Sequence, residues 1–410
     1  MPINQLRIAM VSVHSCPIGN LGAKDTGGMS VYIRELAYEL GKQGHLVDVY
    51  TRVHNPRDRQ IYEFGQNARL VHLRAGKDEE LHKSAVYSHL PDFVYNLDNF
   101  KKHNDLQYDL IFSHYWLSGL AGECLQKRWN IPHITMFHTL GAVKNTLGIG
   151  ENEPKLRIET ERGLTQKYHR IIAPTEKEKE ELIRHYSALP ERIGVVPCGV
   201  NLEQFKPVNK ENARQYLGFG NDKIILFVGR IDPLKGLDKL IKAIPYLQNI
   251  QGLRLVVIGG GEHSQHEIEQ LQKLACNLNI QDSVTFLGLR KQEQLPYFYS
   301  AADVCVVPSY YESFGLVALE SLACGTPVVA TDVGNLKSLI HQRETGYVVI
   351  DNAPHRLADK IALLLSGLST NTESTLSIRA SVSKFSWPNI TEAIIRECQL
   401  VLANYLTPVS

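Results

Sequence analysis

Residues 29–52 read MSVYIRELAYELGKQGHLVDVYTR, and two periods meet in this stretch. Tyr32, Leu36 and Leu40 recur every four residues, the spacing of one helix face. Gly41 or Gly44 can end that helix. Then comes LVDVYTR at 46–52, a short β-branched run. The run before the helix, LRIAMVSV at 6–13, is apolar almost throughout, as a strand covered on both faces must be. Strand, helix, strand is a β-α-β unit, which implies a parallel sheet with helices packed on it.

The rhythm continues outward. ARLVHLR (68–74), YDLIFSH (108–114), HITMFHT (133–139), RIIAP (170–174) and IGVVP (193–197) are further strand candidates. After a polar, loop-like segment at 197–215 the pattern resumes with KIILFVGR (223–230), LRLVVIGGG (253–261), SVTFLG (283–288), ADVCVVPS (302–309), PVVAT (327–331) and TGYVVI (345–350). The chain ends in FSWPNITEAIIRECQLVLANYL (385–406), a terminal helix expected after Pro388. The expected architecture is α/β: two Rossmann-like, doubly wound parallel-sheet domains facing across a cleft. Their expected bounds are 1–206 and 207–385, with 386–410 a helix packing back towards the first domain.

Composition narrows the function classes. Lys+Arg (44) nearly balances Asp+Glu (43), so no global field favours nucleic acid or an anionic membrane. Seven scattered cysteines without a C-x-x-C pair fit reduced thiols rather than a disulfide framework or zinc site. No apolar run reaches the ~20 residues of a membrane span, and the start lacks the features of a signal peptide. A cytoplasmic location without a transmembrane segment is the expectation. With no H-E-x-x-H or comparable spacing, no metal is expected.

Residues 309–329, SYYESFGLVALESLACGTPVV, carry two acids around a Phe-Gly turn and an apolar run. The run from Phe314 to Ala323 reads as a helix, stopped by Gly325 and Pro327. Glu312 then stands at the helix mouth and Glu320 inside the helix. A helix mouth suits an anion, so an acid beside it should contact neutral hydroxyls next to a phosphate. The plainer alternative is a solvated turn acid and an exposed helix acid.

Other polar residues fall at expected strand ends. Gly27 and Gly28 open the first helix and permit close approach of a phosphate or sugar, or simply form a flexible loop. The glycines are not a G-x-G-x-x-G fingerprint. His138 ends the HITMFHT strand, where it can donate to a substrate hydroxyl or serve a structural role. Arg230 and Lys235 flank a Pro-containing turn edged by Gly229 and Gly236, and together they suit a diphosphate, or form a solvated loop. The loops VIGGGEH (257–263), with Gly260, and FLGLRKQEQLPYFYS (286–300), with Arg290, can line a base pocket. All these residues lie at carboxyl ends of expected strands, where open parallel sheets bind ligands.

The set resembles the retaining glycosyltransferases of the GT-B fold, in family 4. E-x-F-G-x(4)-E is met by Glu312, Phe314, Gly315 and Glu320, and R-x(4)-K by Arg230 and Lys235. TGGMSVY (26–32), SHYWLSG (113–119) and HTLGAVKN (138–145) look like the branch containing the inositol-phosphate N-acetylglucosaminyltransferase of mycothiol synthesis. Sucrose-phosphate synthases are more distant relatives. The resemblance implies that Arg230 and Lys235 hold the donor diphosphate. Glu312 contacts the donor sugar, Glu320 the ribose, and His138 the transferred sugar. Gly27, Gly28, Gly229, Gly260, Arg290 and the segment Ser313, Phe314, Gly315, Leu316, Val317 complete the donor site. His138, Arg230, Lys235 and Glu312 form the expected catalytic set. The acceptor phosphate falls to Lys83, Tyr115, Thr139 and Arg157. The branch has Asn where this chain has Ser30, a position expected to face the acceptor ring, so inositol does not follow.

The implied reaction moves a hexosyl unit from a nucleotide diphosphate sugar, UDP favoured, to a hydroxyl of a small phosphorylated acceptor. The configuration is retained, and no cofactor is required. The donor and acceptor are the expected partners, nucleic acid is not, and a homodimer is compatible. Two rivals are a nucleotide-sugar epimerase of the same fold, which needs no acceptor, and a non-catalytic nucleotide-sugar-binding protein.

Overall fold

A computed structural model of the chain describes residues 5–19, 26–79, 81–261, 264–367 and 372–406. Two sheets organise it. The first holds β1 (Arg7–Val11), β2 (Leu46–Arg52), β3 (Ile61–Gly65), β4 (Ala68–Leu73), β5 (Leu110–His114), β6 (His133–Met136), β7 (Arg170–Ala173) and β8 (Ile193–Val195). Their order is β3-β4-β2-β1-β5-β6-β7-β8. The second holds β9 (Lys223–Val228), β10 (Leu253–Ile258), β11 (Val284–Gly288), β12 (Val304–Val307), β13 (Val328–Thr331) and β14 (Gly346–Val349), in the order β11-β10-β9-β12-β13-β14. Every run expected as a strand contains one.

β3 was not expected. It is antiparallel to β4, at the sheet edge, and its residues are largely exposed. An edge strand with water on its faces has neither the apolar run nor the clean alternation that marks the others.

The side-chain period of two is visible in β1. Ile8 and Met10 join the apolar cluster of Ile33, Leu36 and Leu40, on the helix Gly28–Lys42. Ala9 and Val11 join Phe93, Leu97 and Leu117 on the opposite face. Each such Leu, Ile or Phe contributes about 1.5–3 kcal/mol by leaving water. Covering both faces is what lets the strand be apolar throughout.

The terminal helix runs Trp387–Leu406, so Pro388 lies in its first turn rather than before it. Proline is tolerated there because the first helical N–H groups have no intrahelical acceptor. The helix lies against the Gly28–Lys42 helix. Arg170 Nε donates to Glu397 at 2.5 Å, and Tyr405 Oη is 3.0 Å from Asn130 Oδ1. Where the chain returns from the second sheet, it touches the outgoing segment: Val200 N–H donates to the Phe385 carbonyl at 2.8 Å. No described helix is long and apolar enough to cross a membrane.

Candidate active site

In each sheet the chain reverses direction of travel at one strand. β1 lies between β2 and β5, and β9 lies between β10 and β12. The crevice beyond the carboxyl ends at such a switch point is where open α/β sheets take ligands. Both crevices are bridged by side chains.

In the first sheet, the ring of His14, just after β1, lies 4.4 Å from that of Tyr115, just after β5. Tyr115 caps the helix Trp116–Trp129 with φ +77° and ψ 159°, a region that a side chain makes costly by about 1–3 kcal/mol. Around its ring stand two cations: Arg157 Cζ at 4.7 Å and Lys83 Nζ at 5.8 Å from the centroid. Arg157 Nη2 donates to the Thr139 carbonyl at 2.7 Å and to Thr139 Oγ1 at 3.0 Å. Its Nε donates to Glu161 at 2.7 Å, and Nη1 pairs with Glu153 at 2.8 Å. Burial disfavours this charge, but Glu161, Tyr115 and Glu153 outweigh it and hold Arg157 protonated. Lys83, Tyr115, Thr139 and Arg157, distant in sequence, are thus one cluster. Arg157 is engaged on all sides, so it supports Tyr115 and Thr139 more than it presents a free fork.

His138 follows β6 with φ +62°. Its Nε2 lies 2.9 Å from Nδ1 of His114, the last residue of β5, and Tyr32 meets its ring edge-on at 5.3 Å. Burial pushes His138 down to about 3 and His114 well below its ordinary value, so both rings are neutral near pH 7. His14 is also pushed down, by burial first and then by Lys83, His54, Arg157 and His138.

In the second sheet, Lys235 after β9 donates Nζ–H to Glu312 Oε1 after β12 at 2.6 Å, and Ser309 Oγ donates to the same oxygen at 2.8 Å. Arg230 is exposed, 3.5 Å from Asp232. Gly229 follows β9, Gly260 follows β10 and Arg290 follows β11, on neighbouring strands. Arg290 donates to the Leu289 carbonyl at 3.0 Å. Glu262 and His263 lie outside the described residues.

The helix Leu316–Ala323 begins two residues later than expected, with Gly315 at its N-cap in the left-handed region (φ +104°). Its mouth lies against the first helix: a Cβ on Gly28 would stand 3.1 Å from Leu316 Cδ1, while among the described residues nothing lies within 4 Å of a Cβ on Gly27. Val317 is partly exposed in the first turn. Two further contacts cross between the halves. Ser313 Oγ donates to Glu178 Oε2 at 3.0 Å, and the Leu140 N–H donates to Tyr311 Oη at 3.4 Å. Burial raises Glu178 to about 8.

Three of the expected residues, Ser30, Phe314 and Glu320, are buried. Ser30 is fully buried, 2.7 Å from Ser15 Oγ, and does not open on the cleft: the first helix turns it onto the loop after β1. Phe314 is also buried, its ring 5.9 Å from Phe385, so only its backbone can face a ligand. Glu320 is not an exposed helix acid. It is 9% exposed, accepts from Tyr299 Oη at 2.8 Å, and lines a small cavity with Glu35, Asn201, Gln292 and Trp387. Burial raises it to about 7.

His14, His114, Glu178 and Ser309 were not singled out from the sequence. His14 and His114 end apolar runs as His138 does, and strand-end position was the available signal. Glu178 sits in the run EKEKEE, which reads as a solvated helix face. Chemically, one crevice offers two cations around a tyrosine and a threonine. The other offers a cation paired with an acid beside a helix N-terminus. Both suit phosphate-bearing ligands with hydroxyls.

Comparison with known proteins gives the family and the fold. A family model described as Glycosyltransferase Family 4 matches residues 26–204, and one described as Glycosyl transferases group 1 matches 209–376. A D-inositol 3-phosphate glycosyltransferase from Corynebacterium glutamicum is 37% identical over 93% of this chain and 94% of its own. One from Mycobacteroides abscessus is 37% identical over 98% of this chain and 91% of its own. Among solved structures, a sucrose-phosphate synthase from Thermosynechococcus elongatus superposes with a TM-score of 0.89 at 32% identity, covering 97% of this chain and 99% of that one. An Anabaena protein in complex with UDP and glucose, 18% identical, shares the fold with a TM-score of 0.76 over 96% of this chain and 99% of that one.

Proposed function

This chain belongs to the family 4 glycosyltransferases of GT-B fold, and we propose that it moves a hexosyl unit from a nucleotide diphosphate sugar to a hydroxyl of a small phosphorylated acceptor. The observation that carries the acceptor is the Lys83–Tyr115–Thr139–Arg157 cluster, two cations around one ring and one hydroxyl. A phosphate dianion needs such a set, and a neutral acceptor does not. The named relatives act on inositol phosphate or make sucrose phosphate, which supports a phosphorylated acceptor without choosing one.

On this reading the half formed by residues 1–206 holds the acceptor and 207–385 the donor. UDP is the favoured base. Arg230, Lys235 and the amides at 313–317 stabilise the charge that develops as the diphosphate leaves. Glu312, fixed by Lys235 and Ser309, accepts from hydroxyls of the donor sugar. Glu320 takes the ribose hydroxyls if the nucleotide enters the cavity beside Gln292. His138 bonds the transferred sugar. The acceptor hydroxyl attacks on the face that the diphosphate leaves, passes its proton to a diphosphate oxygen, and the configuration is retained. Closure of the halves excludes water and so limits hydrolysis.

The test is nucleoside diphosphate release, with product masses, over a grid of UDP-, ADP- and GDP-sugars against inositol phosphate, fructose 6-phosphate, glycerol phosphate and their unphosphorylated forms. Release that requires one phosphorylated acceptor is expected. Release only with unphosphorylated acceptors would refute the cluster's role.

A further inference from the structure

His114 has no place in the mechanism above, yet it is 0% exposed and touches the one histidine that has. Its Nδ1 lies 2.9 Å from His138 Nε2. Its own Nε2 is buried with no hydrogen-bond partner among the described residues. His138 is partly exposed, and its Nδ1 is the ring nitrogen that the contact with His114 leaves unused. Backbone geometry fixes the pair. His114 ends β5 in register with Met136 of β6, and His138 turns back from β6 at φ +62°. Phe112 packs on the His114 ring at 4.4 Å, and Tyr32 stands edge-on to both imidazoles, at 5.8 and 5.3 Å.

Two neutral imidazoles that share one hydrogen bond have two arrangements. In the first, His114 Nδ1–H donates to His138 Nε2. His114 Nε2 is then a bare lone pair, and His138 carries its proton on Nδ1, towards the cleft. In the second, His138 Nε2–H donates to His114 Nδ1. His114 Nε2–H is then a buried donor with no acceptor, and His138 shows the cleft a bare nitrogen. A buried N–H without an acceptor is the rarer defect.

The geometry points to the first arrangement: His114 is a positioning residue that fixes the tautomer of His138, so that His138 presents an Nδ1–H donor, and not a base, to the transferred sugar. This rests on the glycosyl-transfer reading for what the donor is used on. The tautomer itself does not depend on it. A donor aimed at a sugar oxygen holds the ring without offering to abstract a proton, consistent with a reaction in which the diphosphate is the base. Histidine 114 acts only through its neighbour and touches no substrate.

The test uses the full chain with 15N-labelled histidines. Long-range proton–nitrogen spectra near pH 7 identify which ring nitrogen of His138 is protonated, with His138→Gln assigning the signals. The wild type is expected to show Nδ1–H. In His114→Leu the donor is gone, and His138 is expected to shift to Nε2–H while turnover falls roughly ten- to a hundredfold. In His114→Asn the amide nitrogen stands where Nδ1 stood, so the Nδ1–H signature and most of the turnover are expected to return. An Nε2–H signature in the wild type would overturn the inference, as would an unchanged Nδ1–H signature in His114→Leu. If the Leu variant does not fold, the wild-type and Asn spectra still decide. Failure of every donor and acceptor pair would sink the transferase reading and leave the spectra standing, so the two failures are distinguishable.

Discussion

Lys235 and Glu312 meet across the switch point of the second sheet, Nζ to Oε1 at 2.6 Å, although 77 positions separate them in the chain. The pair does two things at once. It orients the carboxylate, and it holds the ammonium at the carboxyl ends of β9 and β12, near the mouth of the Leu316–Ala323 helix.

Lys235→Ala should therefore lower turnover by about 10²–10³, the range for loss of one electrostatic donor to a developing negative charge. The partners are partly exposed, so the fold should survive. Diphosphate release beside a thermal melt checks both. Near-normal turnover in a folded variant would remove Lys235 from the mechanism.

Gly236 follows Lys235 with φ +66°, and a Cβ there would lie 2.1 Å from the Pro308 carbonyl oxygen. That atom is backbone and cannot step aside. Gly236→Ala should lose both stability, by about 1–3 kcal/mol or more, and donor affinity, because Lys235 is carried away from Glu312. A chemical-denaturation curve and a donor KM check it. A variant that keeps both values would show the turn to be tolerant.

Lys83 and Arg157 share Tyr115 but should fail differently. Lys83 is partly exposed, and Lys83→Ala should raise the KM of a phosphorylated acceptor roughly ten- to a hundredfold, with donor KM and melting temperature nearly unmoved. Arg157→Met strands Glu161, which is 0% exposed, and should destabilise by about 3–5 kcal/mol. Steady-state kinetics with paired melts separates the two. Equal effects on phosphorylated and unphosphorylated acceptors in Lys83→Ala would speak against a phosphate contact.

Glu178 is raised to about 8 from an ordinary 4.5, by burial. Between those values the folded chain keeps a proton that the unfolded chain has released. Stability should therefore fall as pH rises from about 4.5 to 8, by on the order of a few kcal/mol, and level off above. Ser313 opposes the shift and Glu181 and Glu161 add to it. Glu320, raised to about 7, contributes with the same sign. Glu178→Gln keeps an oxygen for Ser313 and removes the titration. Its melting temperature should gain on the wild type at pH 9 and not at pH 5. Parallel curves would sink this account.

Much of the architecture was legible because both-face burial writes itself into sequence. LRIAMV and KIILFV can hardly be anything but buried strands. β3 was not legible, because an exposed edge strand need not be apolar. Strand-end placement put Lys235 and Glu312 on one edge of the second sheet, where they meet, since a parallel sheet sends all its carboxyl ends one way. Side-chain direction was beyond it. Ser30 turns onto Ser15, and Glu320 faces Tyr299. His114 bears on His138 through backbone dihedrals that no spacing reveals. Tyr115, at an angle suited to glycine, is the residue that sequence patterns alone would least have placed.

The chain leaves the first sheet near Val200 and comes back at Phe385, and these two crossings are joined by a hydrogen bond. Two adjacent straps make a door rather than a tether. They join the halves along one line. They also mean that a graft of the donor half from a relative needs two junctions, one in each strap. A single crossover would leave a foreign terminal helix against the Gly28–Lys42 helix, and so would exchange part of the acceptor half along with the donor half.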